Sequence, residues 1–152
     1  MKKVVLLILV IILISSFAQN GALTIQGGTS LFYSDFMLKY ENFDMLANAN
    51  KNKLKPYVSA GMWRANLFSK NNGATLSSGL LYLHGSEKNF LQIELGAQLF
   101  MDRGTAPNNI SFIAVLPDLF VGYRFENSGN PFLFNVGLGF PSVVNFGIGL
   151  KM

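Results

Sequence analysis

Cysteine is absent from the 152 residues. That excludes a disulfide scaffold, a cysteine-ligated zinc or iron–sulfur centre, and a lipid anchor on an N-terminal cysteine. Charge is scarce: 13% of the residues are Asp, Glu, Lys or Arg. A disordered chain carries more charge and fewer aromatic residues than the one Trp, five Tyr and 14 Phe found here. The net charge of +4 is small and scattered, and Lys2 and Lys3 contribute half of it. That is no nucleic-acid footprint, and no nucleic-acid partner is expected. Long hydrophobic runs are missing too, with one exception near the N-terminus. The chain has the length of one domain.

The exception is Val4–Ile14, 11 apolar residues in a row. A spanning helix needs about 20. Met1-Lys2-Lys3 gives the run a basic start. Ser15-Ser16-Phe17-Ala18 follows it, with small residues at the −3 and −1 positions of a cut after Ala18. These three parts predict a cleavable signal peptide over 1–18 and a single domain over 19–152, which begins without a cysteine. An uncleaved membrane anchor is the competing reading.

What remains reads as strands. In Phe90–Met101, Leu91, Ile93, Leu95, Ala97, Leu99 and Met101 alternate with Phe90, Gln92, Glu94, Gly96, Gln98 and Phe100. That is period 2 along a whole segment. In 131–140, Phe132, Phe134, Val136, Leu138 and Phe140 alternate with Leu133, Asn135, Gly137 and Gly139. At the C-terminus Phe146, Ile148, Leu150 and Met152 oppose Asn145, Gly147, Gly149 and Lys151. Shorter alternations run through Leu23–Gln26 and Phe36–Glu41. Weaker strands are predicted at about 55–67, 74–84 and 111–125, each bound uncertain by about 2–4 residues. In 55–67 both faces are apolar, so its outward face stays open. Pro117 interrupts the last of these, and a bulge is expected there because proline cannot donate to a ladder. Turn chemistry separates the strands, as in Glu126-Asn127-Ser128-Gly129-Asn130. The prediction is all-β: an eight-stranded antiparallel up-and-down transmembrane β-barrel.

Alternation alone does not separate a soluble barrel, apolar inside, from a membrane barrel, apolar outside. Three features favour the membrane. The apolar faces are large in a chain low in charge. Aromatic residues gather near strand ends, with Phe43, Tyr57, Tyr82, Phe90, Tyr123, Phe125 and Phe132 towards one rim and Phe32, Tyr33, Phe68, Phe100 and Phe140 towards the other, as two interfacial girdles would. Gly96, Gly122, Gly137, Gly139, Gly147 and Gly149 lie on the polar face, where a narrow lumen leaves little room. Eight spanning strands use about 88 residues and leave short connections. An even strand number puts both termini on one side.

The last eight residues are Asn145-Phe146-Gly147-Ile148-Gly149-Leu150-Lys151-Met152. Asn145, Gly147, Leu150 and Met152 resemble the C-terminal assembly signal of outer-membrane barrels, polar-x-Gly-x-x-apolar-x-apolar, although that family usually ends in an aromatic residue. Phe36–Phe43, Leu80–Gly85 and Pro117–Phe125 also resemble small outer-membrane β-barrel proteins of Gram-negative bacteria. The resemblance implies the outer membrane as destination. It also implies export through the inner membrane, periplasmic chaperones, the barrel assembly machinery and outer-membrane lipids as partners. It specifies no activity.

The expected lumen polar network is Lys39, Glu41, Gln92, Glu94, Gln98, Asp118, Arg124, Asn135, Asn145 and Lys151. Eight strands enclose just enough room for side chains to fill. Buried charges pair, so Lys39, Arg124 and Lys151 are expected to neutralise Glu41, Glu94 and Asp118. The network reads as a packed polar plug, with a proton or small-ion path as the alternative. His84, the only histidine, is flanked by Tyr82 and Ser86. Some barrels of the resembling kind modify lipids with His and Ser, and imidazole can activate a hydroxyl for acyl transfer. His84 falls near the periplasmic rim, whereas those enzymes work on the outer leaflet, so an interfacial role is expected. Lys51, Lys53 and Lys55 would face the periplasm, as a solvated turn or against lipid phosphates.

The functional expectation is a non-catalytic outer-membrane barrel with a structural, interaction or narrow-conduit role and no cofactor, catalytic residue or metal site. The alternatives are an envelope-lipid-modifying barrel enzyme and a secreted soluble β-barrel binding a small apolar ligand. The same architecture hosts all of these.

Overall fold

The structure is a computed structural model that describes residues 21–42, 45, 52–66, 71–86, 88–103, 110–127 and 129–152. The expectation of a signal peptide over 1–18 lies outside the described residues, as do Phe43, Phe68 and Lys51. Eight strands follow in order: β1 (Ala22–Thr29), β2 (Tyr33–Glu41), β3 (Asn52–Ala65), β4 (Asn72–Ser86), β5 (Asn89–Arg103), β6 (Ile110–Glu126), β7 (Phe132–Phe140) and β8 (Val144–Lys151). Each pairs antiparallel with its sequence neighbour, and β8 pairs back to β1, closing the sheet. The described residues contain no helix. The fold is an all-β up-and-down barrel.

Closure follows a measurable stagger. The paired residues run from Glu126 to Leu133, Gly149, Thr24, Lys39, Ser59, Ser77 and Gln98, and reach β6 again at Leu116. One circuit therefore climbs ten residues, from 126 to 116. Ten steps of about 3.3 Å against eight strand spacings of about 4.8 Å tilt the strands by about 40°. Every residue on that circuit has the same parity, so all of them face inward.

The parity sorts chemistry by side. Ile25, Phe36, Leu38, Val58, Met62, Leu80, Leu95, Val121, Leu138 and Ile148 are exposed on the outer wall. Thr24, Lys39, Gln92, Glu94, Gln98, Arg124 and Asn135 are buried inside it. In β3 the ambiguity resolves with Val58, Ala60 and Met62 outward and Tyr57 and Ser59 inward. The interior is not wholly polar. Tyr57, Leu81, Leu83 and Phe90 form a buried apolar cluster between the polar groups.

Two expectations are corrected. Tyr57, Phe90, Tyr33 and Phe100 were expected in the aromatic girdles, yet all four turn inward. Tyr57, Phe90 and Phe100 are buried, and Tyr33 is half-buried. Parity overrides position along the strand: Tyr57 shares a face with Ser59, Phe90 with Gln92, Tyr33 with Asp35 and Phe100 with Gln98. Among the described residues the outward aromatics include Tyr40, Tyr82, Tyr123, Phe125, Phe132 and Phe134 towards the terminal rim and Phe32, Phe36, Phe140 and Phe146 towards the opposite one. The second correction concerns Pro117, which pairs in register with Ala97 and makes no bulge. Pairing of β6 to β7 begins only at Leu119, opposite Phe140, so Pro117 has a neighbour strand on one side alone. The register shift of β6 falls at Asp102/Arg103 instead.

None of the described glycines has a positive φ, so glycine serves space here rather than turn geometry. Gly122 and Gly137 are cross-strand partners under the Phe120 ring. A Cβ on Gly137 would lie 2.7 Å from Phe120 Cζ and 2.5 Å from Gly122 Cα. Gly137→Ala is expected to destabilise the barrel by about 1–3 kcal/mol through overpacking, read as a lower urea midpoint with unchanged slope.

Candidate functional site: the polar interior of the barrel

Inward parity along β2, β5 and β6 stacks charged groups in the lumen. Near the terminal rim the centre is Arg124, which is 0% exposed. Its Nη1 donates to Glu41 Oε1 at 2.8 Å and to Glu41 Oε2 at 2.7 Å. Its Nε donates to Glu126 Oε2 at 2.9 Å. Lys53 Nζ donates to Glu126 Oε1 at 3.0 Å and lies 4.7 Å from the centre of the Phe90 ring. Two glutamates thus hold one guanidinium, and Lys53 and the buried Lys55 add positive charge beside them.

A second cluster fills the middle. Lys39 Nζ pairs with Glu94 Oε1, and the Gln92 amide donates to the same oxygen. Lys39 also lies 4.6 Å from the centre of the Tyr57 ring. The Tyr57 hydroxyl donates to Asp118 Oδ2 at 2.7 Å. The Gln98 amide donates to Thr75 Oγ1 at 2.9 Å, and the Ser59 and Ser77 hydroxyls share a bond of 2.6 Å.

Towards the opposite rim, Phe100 meets Tyr33 and Trp63 edge-on, with ring centres 5.5 and 5.8 Å apart. The turn 141–143 carries Pro141 and Ser142 inward. The Ser142 hydroxyl lies 3.0 Å from Asp35 Oδ2 and 3.2 Å from the Tyr33 hydroxyl. Asn145 Nδ2 donates to the Ser142 carbonyl at 2.9 Å.

All ten residues read from the sequence as lumen-facing lie on the inward parity. The structure brings Arg124 to Glu41 and Lys39 to Glu94. It does not bring Lys151 to a carboxylate: that ammonium donates to the Asn127 carbonyl, because Lys151 ends β8 at the rim beside the β6–β7 turn. Asp118 meets the Tyr57 hydroxyl rather than a cation. Of the four residues matched to the assembly signal, Asn145 and Gly147 are inward and buried, while Leu150 and Met152 are outward and exposed.

Sequence reasoning missed Glu126, Asp35 and Tyr57, and it read Lys53 and Lys55 as a solvated turn or a lipid contact, whereas both lie in β3, Lys55 buried and Lys53 paired with Glu126. Glu126 stands two residues from Arg124 and Asp35 four from Lys39, so parity was a usable signal for both. Tyr57 and Lys53 lie on the strand whose two faces look alike. Ser142 lies in a turn and carried no signal.

His84 is exposed on the outward face of β4. Its Nδ1 lies 2.7 Å from Asn52 Oδ1, which also accepts from the Tyr82 hydroxyl at 3.1 Å. Its ring stacks on Tyr82, with ring centres 6.4 Å apart. This cluster lies on the outer wall at the terminal rim, outside the lumen network. Among the described residues no three His, Cys, Asp or Glu side chains come together as a metal centre.

Compared with protein-family models, curated proteins and solved structures, the chain matches none. The functional reading therefore rests on the geometry of the barrel.

Proposed function

We propose that the chain is an integral outer-membrane β-barrel with a structural or interaction role and a lumen closed by its own side chains. The observation that carries this reading is the inside-out distribution of polarity on a closed sheet. Aliphatic and aromatic side chains cover the outer wall on all eight strands, while Lys39, Glu41, Glu94 and Arg124 are buried within it. In water the outer wall would leave far more contiguous apolar surface exposed than a soluble monomer tolerates. In a bilayer it faces the hydrocarbon, and closure leaves no open sheet edge across the paired wall.

The three-part segment over 1–18 supports delivery through the inner membrane. The C-terminal residues Asn145, Gly147, Leu150 and Met152 support periplasmic chaperones and the assembly machinery as transient partners, with outer-membrane lipids as the permanent one. The paired charges of the lumen support a plug rather than a conduit, because the Lys39–Glu94 and Arg124–Glu41 pairs are fully buried and hold one another in place.

The test is cell fractionation followed by gel electrophoresis with and without boiling. The expected result is an outer-membrane protein whose unboiled band migrates apart from the boiled one. A soluble periplasmic or secreted protein would overturn the proposal and favour a carrier of a small apolar ligand. Stepwise conductance in planar bilayers would replace the plug by a conduit. Acyl-transfer activity lost with His84→Ala would favour the lipid-modifying enzyme.

A further inference from the structure

The opposite half of the lumen holds a group of oxygen atoms that no ion pair explains. Asp35 is 7% exposed, and its Oδ1 has no hydrogen-bond partner. The Gly28 amide and the Gln98 carboxamide lie near this carboxylate without closing a bond to Oδ1. Oδ1 is aimed at the space above Gly28. An ideal Cβ on Gly28 would lie 2.5 Å from Asp35 Oδ1, 2.4 Å from Asn145 Oδ1 and 2.5 Å from Ser142 Oγ. Three oxygens, one from β2 and two from the turn leading into β8 and its first residues, therefore converge within about 5 Å of one another, over a residue with no side chain. The bond from Asn145 Nδ2 to the Ser142 carbonyl fixes which end of the amide faces the group, and it is the oxygen.

Asp35, Ser142 and Asn145 also line a small cavity of about 10 Å³, together with Asp118, Gln98 and Phe140. That is the room one water-sized body needs. Two carboxylates face this cavity, and none of the ion pairs among the described residues includes either. The ammonium of the neighbouring Lys39 is engaged by Glu94. A buried carboxylate without a counter-charge is costly. Carboxylate, amide and hydroxyl oxygens are the ligands of a hard cation, and a mixed, irregular set of this kind suits calcium better than magnesium, which demands near-octahedral geometry and gives up its water reluctantly.

We infer that Asp35, Asn145 and Ser142, above Gly28, form a calcium-class cation site in the lumen, with Asp118 supplying the second negative charge of the cavity. The cation sits on the cavity side of the three oxygens, where Gln26, Gln98 and Asp118 line the same space. It ties the inward turn 141–143 to β1 and β2, across the closing seam of the barrel. With few protein ligands, the dissociation constant is on the order of 10⁻⁴–10⁻³ M.

The experiment uses the purified protein stripped with a chelator, titrated with calcium chloride by isothermal calorimetry and, separately, by thermal unfolding. The expected result is one calcium ion per chain and a rise in unfolding temperature that magnesium reproduces only weakly. Asp35→Asn keeps the shape of the side chain and removes its charge. It is expected to weaken calcium binding more than about tenfold. Gly28→Ala places a methyl group among the three oxygens and is expected to abolish binding. The unboiled gel band, unchanged in both variants, reports that they fold. Absence of saturable calcium binding by the wild-type protein overturns the inference, as does wild-type affinity in folded Asp35→Asn. An infrared band of a protonated carboxyl group at neutral pH, present in wild type and lost in Asp35→Asn, overturns it as well. In that case a proton supplies the missing positive charge.

Discussion

Replacing Arg124 by methionine is expected to lower the unfolding free energy by about 3–5 kcal/mol. The guanidinium is fully buried and is shared by two carboxylates from different parts of the chain. Glu41 receives two hydrogen bonds from one nitrogen. Methionine fills similar space but leaves Glu41 and Glu126 buried without the guanidinium between them. Lys53 compensates only Glu126, and from a more exposed position. Removing Arg124 and Glu41 together, with Arg124→Met and Glu41→Leu, leaves Glu126 paired with Lys53 and is expected to recover most of the loss. A buried ion pair barely outweighs well-packed apolar groups, whereas a broken one leaves a stranded charge. Urea unfolding of the single and double variants checks both statements. A single variant within 1 kcal/mol of wild type, on the order of a surface substitution, would show that water reaches the triad.

Leu95→Arg carries the second large effect, and it depends on the solvent outside the barrel. Leu95 is 65% exposed and lies in the middle of β5, paired to Leu80 and Leu119, which are also exposed. In a bilayer, arginine at that depth costs about 2–4 kcal/mol. In water, a substitution at so exposed a position changes stability by about 0.5 kcal/mol or less. Folding titrations into phosphatidylcholine vesicles read the difference. Trp63, in the aromatic group with Phe100, is the only tryptophan and serves as the fluorescent probe. A loss of about 2–4 kcal/mol supports the membrane reading, and a change near zero removes it.

Much of the architecture is legible in the residue order. The side-chain period of a strand is 2, so Phe90–Met101, 131–140 and the C-terminal segment declare both their conformation and their two faces. Glycine on the polar face declares a crowded interior, and the crowding at Gly122 and Gly137 bears that out. Parity fails only where both faces look alike. In β3, Tyr57 and Trp63 are as apolar as Val58 and Met62, and the register against β2 and β4 decides which set turns inward. The girdle expectation failed for the related reason that it followed position along the strand rather than parity.

The chemistry of the lumen is a different matter. Parity says that Arg124, Glu41, Lys39 and Glu94 point inward, but not at what height around the circuit. Height comes from the stagger of ten residues, a property of the closed sheet that no single strand contains. That stagger brings Arg124 within reach of Glu41, 83 residues away, and Lys39 within reach of Glu94, 55 away. It leaves Lys151 at the rim against a backbone carbonyl. It also gathers Asp35 of β2 with Ser142 and Asn145, more than 100 residues further along the chain, above Gly28. The sequence by itself determined eight strands and the chemistry of most of their faces, because alternation is local. Only the tertiary structure decided which charges meet, because a barrel's pairing is settled by how the whole circuit closes.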